Sequence, residues 1–178
     1  SQGKSLNLIK DVQQAIEEVL SFLGKIFILD PIPSHMRDYS PLSDQFKSDA
    51  SNVAGILAAL NLSHREEVES VLTRYLREFP EKDINRIWTE RVGKFETDAM
   101  LYCSEKWLQE KEVEIDARGM SDGTLRFLAI MTAVLTLPKF SLLVIEEIDN
   151  GFHPSRAKLL VRFLKEVGNR RSIDIICT

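Results

Sequence analysis

Between residues 5 and 24 the apolar positions Leu8, Ile9, Val12, Ile16, Val19, Leu20 and Leu23 recur at steps of three and four, which predicts an amphipathic helix ended by Gly24. KIFILD then reads as a short strand. PIPSHMRDYSPLSDQFKSD is rich in Pro, Ser and Asp and predicts a loop with turns. Helical spacing returns near residues 51–60 and 64–79, giving a helical or mixed lobe. Beyond Pro80, KDINRIWTERV is poorly periodic and predicts no element. KFETDAMLYCSEKW and EKEVEID look like an antiparallel pair of strands that ends at Ala117.

The last third changes character. GMSDGTLRFLAIMTAVLTL reads as a turn, an N-cap at Ser121 and a strongly apolar helix that stops before Pro138. SLLVIEE is a continuous apolar run of strand length, the pattern of a parallel strand covered on both faces. PSRAKLLVRFLKEVGNRR predicts an amphipathic helix with Pro154 in its first turn and a basic end, and SIDIICT another strand. Helix, strand, helix, strand is α/β grammar. The chain divides into a helical and mixed lobe with a β-hairpin near its end (1–117) and a second part with the parallel-sheet core (118–178).

At 178 residues, 44% hydrophobic and 28% charged, the chain can bury one sizeable core. No stretch reaches the roughly 18 apolar residues of a membrane helix. SQGKSLNLIKDVQQ lacks a signal-peptide layout, so a cytoplasmic protein with no membrane partner is expected. Cys103 and Cys177 lie far apart without metal-ligand spacing, which favours reduced core or strand thiols over a disulfide or zinc site. A formal charge of -4 argues against a general nucleic-acid-binding surface but leaves room for a local basic patch.

Three carboxylates, Glu146, Glu147 and Asp149, sit at the exit of the greasiest strand. They either begin a solvated loop or face a ligand. In open parallel sheets ligands bind outside the carboxyl ends of the strands, and a divalent metal with a nucleotide phosphate is the usual partner of acids placed there. Upstream, Ser121, Asp122 and Gly123 suit ordinary N-capping. They equally suit an anion site, with a close backbone approach at Gly123, the Ser121 hydroxyl and free N–H groups at the helix start.

MSDGTLRFLAI looks like a divergent ABC-type signature, the LSGGQ element; LLVIEE resembles its Walker B strand, and DNGFHPSRAKLL the D-loop and following helix. SDGTLRF together with EEIDNGFHPSR is similar to the AAA-family ATP-binding proteins with ABC-like heads, relatives of the SMC, RecF and OLD-type ATPases. FILDPIPSHMRDYSPL and DASNVAGILAAL resemble segments of that family between its Walker A motif and its signature. The likeness runs from about Ile26 to Thr178 and implies the C-terminal part of a P-loop NTPase head, with a helical and β-hairpin insertion lobe beside the parallel sheet.

The resemblance implies roles. Glu146 stands where an Asp usually holds Mg2+ and Glu147 where the general base orients the water that attacks the γ-phosphate of ATP. Ser121 and Gly123 match signature residues that contact ATP held by the opposite subunit. Asp122 and Thr124 depart from one of the signature's two glycines and from its Gln, and Asp122 is expected to point away from phosphate. Asn150, Gly151 and His153 would form a D-loop across the dimer interface, although His153 also suits a turn packed on Pro154.

A Walker A loop, GxxxxGK[ST] between strand and helix, is not found. QGKS at residues 2–5 lacks its first glycine and upstream strand and is declined. The switch histidine expected after SIDIICT is also missing. The reading is therefore a piece of a longer ATPase, or one half of a composite head. It hydrolyses ATP with Mg2+ once joined to its missing Walker A lobe and a second copy or related head. DNA and a nuclease subunit are further partners implied by relatives in DNA repair and anti-phage defence. The alternatives are a non-catalytic regulatory or assembly module that binds a partner subunit, and a two-metal nuclease using Glu146, Glu147 and Asp149, which leaves MSDGT without a purpose.

Overall fold

The computed structural model describes residues 2–81, 84–107, 111–148, 150 and 152–178. Its first half runs α1 (Gln2–Leu23), β1 (Ile26–Leu29), a short 3-10 helix (Pro33–Met36), β2 (Ser40–Pro41), α2 (Val53–Ala59) and α3 (Leu62–Leu76). The second half runs β3 (Ile84–Val92), β4 (Asp98–Trp107), β5 (Lys111–Asp116), α4 (Asp122–Thr136), β6 (Leu142–Ile145), α5 (Pro154–Arg171) and β7 (Asp174–Cys177).

A three-stranded parallel sheet has the order β1-β6-β7, with Ile28 level with Val144 and Val144 level with Ile176. Alternation along β6 sends Leu143 and Ile145 into the core with Leu29, α4 and α5, all in one apolar cluster. The opposite face carries the row Ile28, Val144 and Ile176. Ile28 is 52% and Ile176 50% exposed, so this face has no cover among the described residues. The apolar stripe of α1 is similarly bare, with Val12, Ile16, Val19, Leu20 and Leu23 all exposed.

The second sheet is antiparallel. β4 is its middle strand, β3 pairs with one edge, and β2 and β5 pair in succession with the other. The expected hairpin is thus part of a four-stranded sheet, and the aperiodic KDINRIWTERV is corrected to a nine-residue strand, β3. A register irregularity between Ile84 and Arg86 shifts the pleat there, and Ile87, Trp88 and Thr89 beyond it are buried in succession, so burial along the strand does not alternate. The outer edge of β3 is closed by side chains of α3. Ile87 N–H donates to Thr73 Oγ1 (3.0 Å), and Thr89 donates through both its N–H (2.8 Å) and its hydroxyl (2.7 Å) to buried Glu69 Oε1.

Local capping agrees with the sequence. Asn61 accepts from His64 N–H at the start of α3, Ser121 from Thr124 N–H at the start of α4, and α5 begins with Pro154 at its first position. Cys103 is buried, Cys177 exposed, and no disulfide joins them.

At α2 the tight spot is Gly55. Its N–H donates to buried Ser40 Oγ (2.8 Å), and a Cβ there would stand 2.0 Å from the Pro41 carbonyl oxygen. Because that contact is backbone, Gly55→Ala should destabilise the fold by about 3 kcal/mol, the upper range of overpacking costs. A urea midpoint matching the wild type would show that α2 moves freely off β2.

Candidate functional site

β6 delivers its acids where both neighbouring strands also end. Glu146 N–H still donates to Leu29 O (3.1 Å), so this residue completes the ladder with β1, and the pleat carries its side chain to the face of Val144. Glu146 is exposed, and its carboxylate has no hydrogen-bond or ion-pair partner among the described residues. Glu147 breaks the pleat. Its φ of 47° lies in the left-handed region, which costs a non-glycine residue about 1 kcal/mol or more.

Several contacts hold Glu147 in that conformation. Asn150 Nδ2 donates to its carboxylate Oε2 (2.9 Å), and Asn150 N–H donates to its carbonyl oxygen (2.9 Å). Its own N–H donates to Thr178 Oγ1 (3.3 Å) at the end of β7. From α4, Arg126 Nη1 donates to the Glu147 carbonyl at 3.4 Å while Nη2 lies 3.8 Å from Asp30 Oδ1, past the end of β1. Strain, carboxylate aim and a cation therefore meet at one residue.

The start of α4 is a second cluster. Ser121 is exposed; its Oγ accepts from Thr124 N–H (3.1 Å) and lies 2.8 Å from Thr124 Oγ1. The N–H groups of Asp122 and Gly123 have no acceptor among the described residues, leaving two donors at the positive end of the helix dipole. Gly123 itself is buried. Asp122 turns its carboxylate to Arg37 Nη2 (2.5 Å).

Arg156, in the first turn of α5, ties the start of α4 to the segment after α3. It donates to Thr124 Oγ1 (3.5 Å), pairs with Glu81 Oε1 (3.1 Å) and lies over the Phe79 ring with 4.2 Å to the centroid. Beneath it, edge-to-face contacts run from Phe79 to Phe127 and on to Phe152. Sequence reasoning did not single out Arg37, Arg126 or Arg156, because an isolated arginine carries no motif. Their partners lie on other elements.

His153 caps α5: its Nδ1 accepts weakly from Ser155 N–H (3.4 Å) and lies 2.7 Å from Ser155 Oγ. Asn150 faces Glu147, as described above. Asp149 and Gly151, also singled out by sequence, lie outside the described residues. Gly3 and Lys4 of the declined QGKS belong to α1. A groove of about 510 Å³ between α3 and β3, lined by Glu69, Thr73, Arg74, Arg77 and Arg86, is separate from these clusters.

Burial pushes the Glu81 carboxyl up, but its own backbone N–H and the Arg156 guanidinium outweigh that and hold it below the ordinary glutamate value. Such a depressed carboxyl adds stability above its unfolded pKa and loses it as pH falls through the folded one. Arg156→Met should raise the Glu81 pKa and lower stability at neutral pH, and the gap to wild type should narrow in acid. Carboxyl chemical-shift titration and unfolding at both pH values check this; an unmoved Glu81 would detach Arg156 from it.

Residues 26–178 match the family model described as "AAA domain, putative AbiEii toxin, Type IV TA system". The chain has no significant match among curated proteins or solved structures.

Proposed function

The chain belongs to the AAA-domain family of that match, and from this membership we propose that it is the signature and Walker B part of an ABC-like head that closes around ATP as a dimer. Membership itself points to nucleotide binding of the ATPase type. The observation that carries the finer reading is Glu147: a left-handed, non-glycine residue at a strand exit whose carboxylate is anchored by Asn150. Strain of this kind persists where the surroundings over-determine it, and it clusters at sites of function.

In this proposal Glu147 accepts the proton of, and orients, the water that attacks the terminal phosphate, and Asn150 keeps its carboxylate aimed. Glu146 would hold the metal. Among the described residues no group of three or more ligand side chains forms a cage. One unpartnered carboxylate fits Mg2+, which is commonly bound by one or two carboxylates and completed by phosphate and water oxygens. When bound, the ion neutralises charge on the phosphates. Ser121, with the open N–H groups of Asp122 and Gly123, would meet phosphate held by the second head. Asn150 and His153 would line the seam between heads.

The bare row Ile28, Val144 and Ile176 supports a further part of the proposal. Parallel strands are normally covered on both faces, so this face is where a lobe carrying the phosphate loop would dock. A groove of about 360 Å³ beside β7, lined by Val161, Leu164, Ile173 and Ile175 together with Lys165, Asn169 and Asp174, lies at the other edge of the sheet. On this division 1–117 supplies the lobe and β1, and 118–178 the nucleotide-facing elements. The second head is a copy of this chain or a related one. The process served is proposed as DNA repair or anti-phage defence, with DNA or a nuclease subunit as partner; the family description names a toxin–antitoxin system.

Glu147→Gln in the full-length protein should leave nucleotide and metal binding intact and cut hydrolysis on the order of 10²-fold or more, the usual share of a positioned general base. ATP-bound dimers should accumulate. Glu146→Gln should instead weaken the Mg2+ dependence. Steady-state hydrolysis with Mg2+ titration separates the two; equal, mild losses would reduce both acids to a solvated loop edge.

A further inference from the structure

We propose that Arg37 is the positioning residue of the loop that opens α4, and that it is what makes an acid tolerable at position 122. This rests on the reading of residues 121–123 as facing phosphate. Arg37 follows the 3-10 helix, whose last residue, Met36, is buried in the core, so its backbone is fixed independently of the loop it serves. Its Nη1 donates to three backbone carbonyl oxygens, those of Ala117 (3.1 Å), Arg118 (2.9 Å) and Met120 (2.9 Å). Its Nη2 donates to Asp122 Oδ1 at 2.5 Å.

One guanidinium thus gathers the whole path from the end of β5 to the first residue of α4. Outside Arg37, the loop is held at its start by Ala117 N–H donating to Leu101 O of β4 and by the burial of Ala117 and Met120; its remaining hydrogen bonds are local, Gly119 N–H to Asp116 O, Met120 N–H to Ala117 O, and the Arg118–Asp116 pair. A planar fork with several donors suits this task, and a lysine ammonium does not reproduce it.

Arg37 also acts through its charge. The Asp122 side chain is 74% exposed, so burial does not direct it; the ion pair with Arg37 does. The N–H groups of Asp122 and of buried Gly123, which have no acceptor among the described residues, belong to the same first turn as that carboxylate. An unpaired acid there would oppose an incoming phosphate, while a paired one is turned aside and neutralised. Arg37 and Asp122 therefore act as a unit that stands in for the glycine of the signature.

The test uses full-length protein carrying Arg37→Ala, Arg37→Lys, Asp122→Asn and the double change Arg37→Ala with Asp122→Asn. Thermal midpoints confirm that each variant is folded. Dimerisation driven by a non-hydrolysable ATP analogue is followed by light scattering, and analogue affinity is measured on the monomer. Arg37→Ala should weaken dimerisation by about tenfold or more with monomer affinity kept, since it both frees the loop and unmasks the acid. Asp122→Asn in that background should recover a substantial part of the loss; no recovery overturns the charge role. Amide hydrogen exchange over residues 117–124 reads positioning by itself. It should speed up about tenfold in Arg37→Ala and also rise in Arg37→Lys, and unchanged exchange overturns the positioning role. If wild-type protein never dimerises with nucleotide, the phosphate-facing reading and charge compensation fall together, and exchange still decides whether Arg37 holds the loop.

Discussion

The parallel pairing of β6, with β1 on one edge and β7 on the other, fixes where Glu146 and Glu147 leave the sheet. A strand bonded on both edges and buried through Leu143 and Ile145 cannot slip by one residue without turning those side chains out of the core. Its end is therefore a fixed point. Glu146 N–H donates the last ladder bond to Leu29 O, and Glu147 leaves the pleat at once. Asn150, Thr178 and Arg126, from the following turn, β7's end and α4, all converge on that one departure.

Around that fixed point the helices and loops are joined by half-buried arginines rather than by apolar packing alone. Arg126 is 12% and Arg156 13% exposed. Each reaches across elements, Arg126 to the exits of β1 and β6, and Arg156 to α4 and to the segment after α3. A guanidinium taken out of water is costly unless its donors are met by acceptors, so such contacts specify one arrangement of the loops. The Nε of Arg156 is left without a partner among the described residues, so this junction carries an unmet donor that its other contacts must offset. Apolar packing supports the same geometry from below, through the Phe79, Phe127 and Phe152 rings.

Two apolar surfaces stay bare, the stripe of α1 and the far face of the parallel sheet. They differ in kind. The α1 stripe is a single helix face, which any helix or sheet could cover. The sheet face is continuous with strands whose ends carry the acids, so whatever covers it also stands beside Glu146.

Sequence alone determined the elements whose signals are local. The α4 and α5 starts were legible because Ser121 and Pro154 act on the backbone within a few residues, and β6 was legible because an uninterrupted apolar run has only a buried strand or helix to become. The two acids were legible as a pair for the same reason. What the tertiary structure decided is non-local. β3 emerged only with its partner β4, since both faces of Ile87, Trp88 and Thr89 are covered and no alternation is left to read. The left-handed turn at Glu147 depends on Thr178, about thirty residues away, as well as on nearby Asn150. Arg37, Arg126 and Arg156 looked like ordinary surface charges in sequence, because the free energy of a guanidinium depends on which acceptors the fold brings to it, and those lie up to 85 residues distant.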